Sequence, residues 1–270
     1  MISDVLGYSR QNFYKQQKDG LRHQHHDQEV LRLVHQQRKL LPRVGTRKIH
    51  QLITPSLEHQ RLKCGRDKLF SILRCSDLLI KPRKRYIQTT MSRHWMRKYP
   101  NLVRNQRPSA PEEIWVSDIT YLKTEEGFAY LSLVTDAFSR KIMGYNVSSS
   151  LDAEQSRKAL QMALGRRQYP KRKLIHHSDR GLQYCSNEYV ELAQANNVTM
   201  SMTEHSDPYE NALAERMNRT LKEEFCLDQI LLSREIASKA TMHAVELYNS
   251  YRPHFALNGK TPNNVHKKPR

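Results

Sequence analysis

The chain has 270 residues, with 45 Lys and Arg against 27 Asp and Glu, a net charge of +18 and 38% hydrophobic residues. No apolar run approaches the ~20 residues needed to cross a bilayer, and the opening MISDVLGYSRQNFYK lacks an apolar signal core, so neither membrane insertion nor export is expected and the place expected is the cytoplasm. Cys64, Cys75, Cys185 and Cys226 form no CxxC pair, which argues against a disulfide framework or a zinc knuckle, and the charge predicts a polyanionic partner.

The charge is unevenly spread. Residues 1–111 carry 24 Lys and Arg against 7 Asp and Glu, residues 112–225 carry 14 against 17, and residues 226–270 carry 7 against 3. A basic arm is thus joined to a slightly acidic middle. Within the arm, QEVLRLVHQQRKLL (28–41) spaces Val30, Leu31, Val34, Leu40 and Leu41 as a helix that Pro42 stops. TRKIHQLI and DKLFSILRCSDLLI repeat that period on either side of a polar stretch from Ser56 to Arg66, and LGYSRQNFYK offers a further turn and helix. Short basic helices between turns fit a helix-turn-helix reader, and a plain helical bundle fits the same spacing. These residues, 1–80, are expected to form a basic helical DNA-binding domain.

Residues 81–112 interleave Pro82, Pro100, Pro108 and Pro111 with KPRKRY, SRHWMRKY and NQRPSAP, which predicts an extended basic linker. Trp95 and Tyr99, beside Arg93, Arg97 and Lys98, can stack on bases or pack on a core; packing is the favoured reading, because aromatic rings bury large areas.

From Trp115 the pattern turns to strands. WVSDITYL, FAYLSLVTDAF and KIMGYNVSS predict an antiparallel meander, followed by a helix in DAEQSRKALQMALGRR, a strand in KLIHHSD, a helix in SNEYVELAQANN, a strand in VTMSM and a helix in NALAERMNRTLKEEF. This order is a mixed α/β layer arrangement and resembles the ribonuclease H-like fold of polynucleotidyl transferases. The core is placed at 113–226, with a C-terminal helix and tail at 227–270.

Three carboxylates stand where they are expensive. Asp118 interrupts a run of strand residues that prefer burial, Asp179 ends a strand before Arg180-Gly181, and Glu215 sits in the first turns of a helix opened by Asn211 whose face continues through Asn218, Arg219 and Lys222. Converging from three elements, such oxygen ligands suit Mg²⁺. Spacing alone is weak support in a chain with 27 acidic residues, and each acid singly fits a surface charge.

The surrounding residues carry more. WVSDITYL, HHSDRGLQYCS and ENALAERMNRTLKEE closely resemble the catalytic core of transposases of the IS-three group of bacterial insertion sequences, relatives of retroviral integrases. Thirty-five residues separate Asp179 from Glu215, as in the family's triad of two aspartates and a glutamate. NSYRPHFALNGKTP resembles the family's closing motif and GTRKIHQLI its N-terminal helical segment; Glu210 stands where the family more often has Asp. The zinc module of the retroviral relatives is absent, His25 and His26 having no CxxC downstream, so no structural zinc is expected. His176 and His177 can line the site or pack in the core, and strand alternation sends them to opposite faces.

The resemblance implies a DNA transposase: a polynucleotidyl transferase that cleaves and joins strands with two Mg²⁺ ions, or Mn²⁺ in their place, held by Asp118, Asp179 and Glu215 as catalytic residues. It implies Lys222 at the DNA end. Arg219, Asn211 and Arg180 around the acids, Arg166, Arg167, Lys171, Arg172 and Lys173 in RRQYPKRK, and Arg83, Lys84 and Arg85 in the linker are the further candidate DNA contacts. The expected partners are terminal inverted repeats and target DNA, a homo-oligomer assembled on them and the product of an upstream reading frame, with association with the bacterial nucleoid. Two rival readings are a silent DNA-binding regulator and a nuclease that cleaves without joining; carboxylates at all three positions count against the first.

Overall fold

The structure is a computed structural model describing residues 10–80, 95–104, 106–204 and 211–267. The chain divides into two compact units, Met1–Pro82 and Arg83–Arg270. The first is helical. Helix α1 (Arg10–Leu40) is 31 residues long, α2 spans Thr46–His59 and α3 spans Arg66–Cys75. Only the C-terminal part of α1 carries an apolar stripe, and there Val30, Leu33 and Val34 meet Ile49 and Ile53 of α2 and Leu69 and Leu73 of α3, all buried. The segment 11–24 of α1 is largely exposed, in keeping with its polar sequence. Pro42 ends α1 as expected. The polar stretch from Ser56 does not end α2: it continues past Pro55 to His59 because buried Leu57 anchors its last turn.

The second unit is built on a five-stranded mixed sheet in the order β3-β2-β1-β4-β5. Strands β1 (Ile114–Thr124), β2 (Gly127–Asp136) and β3 (Ile142–Ser148) form the expected antiparallel meander, and β4 (Leu174–Ser178) and β5 (Val198–Met202) join in parallel. Gly127, at φ 98°, supplies the left-handed residue that the tight β1–β2 hairpin requires. Helices α4 (Ala153–Gly165), α5 (Leu182–Cys185) and α6 (Asn187–Ala195) cover one face, around Trp115, Met143, Leu160 and Tyr189. Helices α7 (Ala212–Glu224) and α8 (Arg234–Ser250) cover the other, around Leu122, Leu131, Leu221 and Tyr248. Two-face burial explains why β1 and β2 read as nearly continuous apolar runs.

Residues beyond 226 pack into this core. In the short helix α9 (Pro262–His266), buried His266 meets Glu112 at 3.3 Å and Ser139 at 2.8 Å, beside the Glu112–Arg167 ion pair. Of the aromatic pair near residue 95, Tyr99 packs against the core. Trp95 does not, and the packing expectation is corrected for it: its side chain is 90% exposed.

Candidate active site

Asp118 and Asp179 are brought together by strand register. β1 and β4 pair in parallel through Trp115 with His176 and Val116 with His177, and the ladder stops there. Asp118 lies two residues past Val116 and Asp179 two past His177, so equal offsets leave both carboxylates on the same pleat face. Beyond that point β1 stays with β2 while β4 stays with β5. A cleft of about 480 Å³ opens near this split, walled by Asp118, Asp179, Tyr121, Gly181 and the start of α4 at Asp152 and Ala153. It lies at the carboxyl end of β4, where open α/β sheets place ligands.

Helix α7 delivers Glu215. Its buried Asn211 donates from Nδ2 to the Ser117 carbonyl at 3.0 Å, and its buried Asn218 donates from Nδ2 to Asp118 Oδ2 at 2.8 Å. Glu215 lies between them at i+4 and i−3, on the same helical stripe. Asp118 Oδ1 accepts from the Ile119 backbone N–H at 2.9 Å, and Asp179 Oδ1 accepts from that of Gly181 at 3.0 Å.

Burial first and the neighbouring Asp179 charge second push the Asp118 carboxyl up to about 7, despite the Asn218 hydrogen bond, and Glu215 adds to the rise. Asp179 is also raised, by burial and then by Glu215. Neither aspartate makes an ion pair among the described residues. Two desolvated carboxylates raised by like charge fit a bound cation, which would relieve both effects. The set is not closed into a ligand shell: among the described residues, no three His, Cys, Asp or Glu side chains stand close enough to hold a metal ion as they are.

The histidines of HHS are core residues. His176 bonds to Ser117 Oγ at 2.8 Å and to the Tyr189 hydroxyl at 2.9 Å, and burial pushes its pKa down to about 3, which keeps it neutral. His177, on the opposite face, bonds to Ser201 Oγ at 2.9 Å.

The candidate DNA contacts separate clearly. Arg219, Arg166, Lys171 and Lys173 are exposed. Lys222 is half-buried on the α7 stripe, and burial lowers its pKa while the Asp118 charge opposes that shift. Arg180, beside Asp179, is half-buried. Arg167 is corrected to a structural residue: its buried guanidinium pairs with Glu112 at 3.1 Å and donates to the Tyr169 and Arg172 carbonyls. Arg172 likewise donates to the Pro111 carbonyl at 2.6 Å and lies over the Tyr169 ring. Asn211 faces Ser117 rather than solvent, so it is a helix-positioning residue. Arg83, Lys84 and Arg85 lie outside the described residues.

The sequence places Asn218 on Glu215's face without giving it a partner. Tyr121 lies within WVSDITYL without being singled out there, and the start of α4 is a part of the cleft that no motif marks. The alternation of β1 puts Tyr121 on the face opposite Leu122, and its exposure there is the signal that spacing alone hides.

Known proteins agree with this architecture. Two models described as integrase core domains match residues 108–208 and 196–262. The chain is 32% identical over 266 residues to the insertion element IS600 uncharacterized 31 kDa protein of Shigella sonnei, covering 97% of this chain and 96% of that one. It is 35% identical over 198 residues to transposase InsF for insertion sequence IS3A of Escherichia coli K12, covering 73% and 68%. In fold it is similar to a chain of the simian T-cell lymphotropic virus intasome solved with the PP2A regulatory subunit B56 gamma, with a TM-score of 0.52 and 19% identity over 84% of this chain and 76% of that one. With an integrase core on a ribonuclease H-like sheet, and relatives of this identity and coverage, the chain belongs to the IS3-family DNA transposases.

Proposed function

We propose that Asp118, Asp179 and Glu215 are the catalytic carboxylates of a transposase that cleaves insertion-sequence ends and joins them to target DNA, acting as an oligomer on that DNA. The observation that carries the proposal is the pair of desolvated, mutually raised aspartates at the β1–β4 split, with the α7 glutamate's charge acting on both. Asp118, Asp179 and Glu215 would hold the divalent cations, with Asp118 as the ligand they would share. Mg²⁺ or Mn²⁺ held there would supply charge stabilisation at the scissile phosphate and at the attacking oxygen.

The chain's own groups do the rest. Asn218 holds the Asp118 carboxylate in one orientation from the helix that carries Glu215, so the two move as a unit. Asn211 fixes that helix against β1. Glu215 would complete the set from the stripe it occupies on α7, where its charge already acts on both aspartates. Lys222, Arg219 and Arg180 offer cations to the flanking phosphates, and the exposed Lys171 and Lys173, with Arg166, whose guanidinium also donates to the Met143 carbonyl, offer cations to a longer duplex. Catalysis is then positioning and electrostatics, with no covalent intermediate on the protein.

Labelled DNA carrying both ends of the chain's own element, incubated with the protein and Mg²⁺ or Mn²⁺, tests this. Cleavage with strand joining is expected. Cleavage alone would make the protein a nuclease, and binding without cleavage would make it a regulator.

A further inference from the structure

The geometry points to a base-stacking platform beside the cleft, formed by Tyr121, Phe128 and Tyr130, that receives an unpaired nucleobase of a DNA end. This rests on the proposed function for the placement of DNA in the cleft. Tyr121 and Tyr130 face each other across the β1–β2 pair with ring centroids 5.3 Å apart, and Phe128, one diagonal step away, lies 5.9 Å from Tyr121; both contacts are edge-on. Tyr121 is 38% exposed and Phe128 is 53% exposed. All three lie on the sheet face that α4 covers further along the strands, where Ser132 meets Ser156 of that helix. Since α4 begins only at Ala153, the hairpin end of the face is left open.

Three observations commit the patch to a nucleobase. It is continuous with the cleft, because Tyr121 lines the same wall as Asp118 and Asp179. Lys123, exposed and opposite Phe128 in the register, stands beside the rings on the same sheet face, so a cation is at hand for the backbone of a strand whose base lies there. At the far tip, Glu126 is turned to α8, where its carboxylate accepts the Arg234 backbone N–H at 3.0 Å. Exposed rings that adjoin the cleft, a cation beside them and a carboxylate turned away to α8 suit a strand whose phosphate lies at the cleft while its base lies on the rings. Aromatic faces accept any base, so the platform adds affinity for unpaired ends without reading sequence.

The test compares the binding of the full chain, in EDTA so that no strand is cut, to a blunt duplex, to the same duplex with a four-nucleotide single-stranded overhang, and to that overhang made abasic. The overhang is expected to bind about tenfold more tightly than its abasic form. Phe128→Ala and Tyr121→Ala each abolish that preference, whereas Phe128→Tyr keeps it. An equal preference in wild type and Phe128→Ala overturns the platform. So does a sedimentation shift between wild type and Phe128→Ala in the absence of DNA, which would assign the patch to a second copy of the chain. Neither outcome depends on cleavage, so failure here leaves the catalytic reading standing, and loss of cleavage elsewhere leaves the platform standing.

Discussion

Asp118 is where the proposed chemistry and the stability of this protein pull against each other. Its carboxyl has an ordinary value of 3.8 and is pushed up to about 7 by burial and by Asp179. Between those values the folded chain keeps a proton that the unfolded chain has released, so the stability carried by the neutral acid is complete below pH 4 and is lost as pH rises through 7. Asp118→Asn abolishes the titration and is expected to raise the melting temperature near pH 8, with little difference near pH 4; a gain of about 1 kcal/mol appears as roughly 2–4 °C. Thermal denaturation of both proteins across that range checks it, and an equal gain at both ends would contradict it. The residue types of the three carboxylates are legible in the sequence, and so are the two strands that bring Asp118 and Asp179 to one sheet and the helix that carries Glu215. What no spacing rule conveys is that Asn218, three positions past Glu215, hydrogen-bonds Asp118 across 100 residues of chain.

At the level of elements, the cleft depends on how closely α4 sits on the sheet, because the start of that helix forms part of its wall. Gly144 of β3 sets the approach: a Cβ there would lie 2.1 Å from the Ala159 carbonyl oxygen and 2.7 Å from the Ala163 nitrogen. Both are helix backbone atoms that cannot yield without moving α4. Gly144→Ala is therefore expected to cost about 3 kcal/mol, the upper end for an overpacked core, read as a lower urea midpoint. An unchanged midpoint would show that α4 shifts freely. The strands and helices of this unit are legible because each carries a strong period and a turn signal at its ends; GYNVSS reads as strand despite its glycine because the neighbouring residues are apolar or β-branched. The requirement for glycine is invisible in one dimension, since the atoms it avoids belong to a helix fifteen residues later. Arg167 and Arg172 show the converse failure. A run of cations predicts solvent and phosphate, but Glu112, more than fifty residues earlier, draws Arg167 into a buried pair, and the Pro111 carbonyl holds Arg172.

Across the whole molecule, charge is unevenly spread along the chain: +17 on residues 1–111 and −3 on residues 112–225. A surplus of that size is costly unless it meets a polyanion. If it neutralises six to ten phosphates, affinity for DNA should fall by about 10³–10⁵ between 50 and 200 mM salt. Filter-binding or anisotropy titrations over that range read the slope directly, and a flat response would remove the basic segment 1–111 from the DNA interface. The helical character of the first unit follows from its apolar spacing, whereas the full extent of α1 does not, because residues 11–24 carry no apolar face to announce it. The central claim is tested most directly by strand cleavage of labelled element ends in Mg²⁺ by the wild-type protein and by Asp179→Asn. Cleavage and joining by the wild type, with both lost in Asp179→Asn while end binding is retained, is the result predicted; cleavage by Asp179→Asn at the wild-type rate would contradict it.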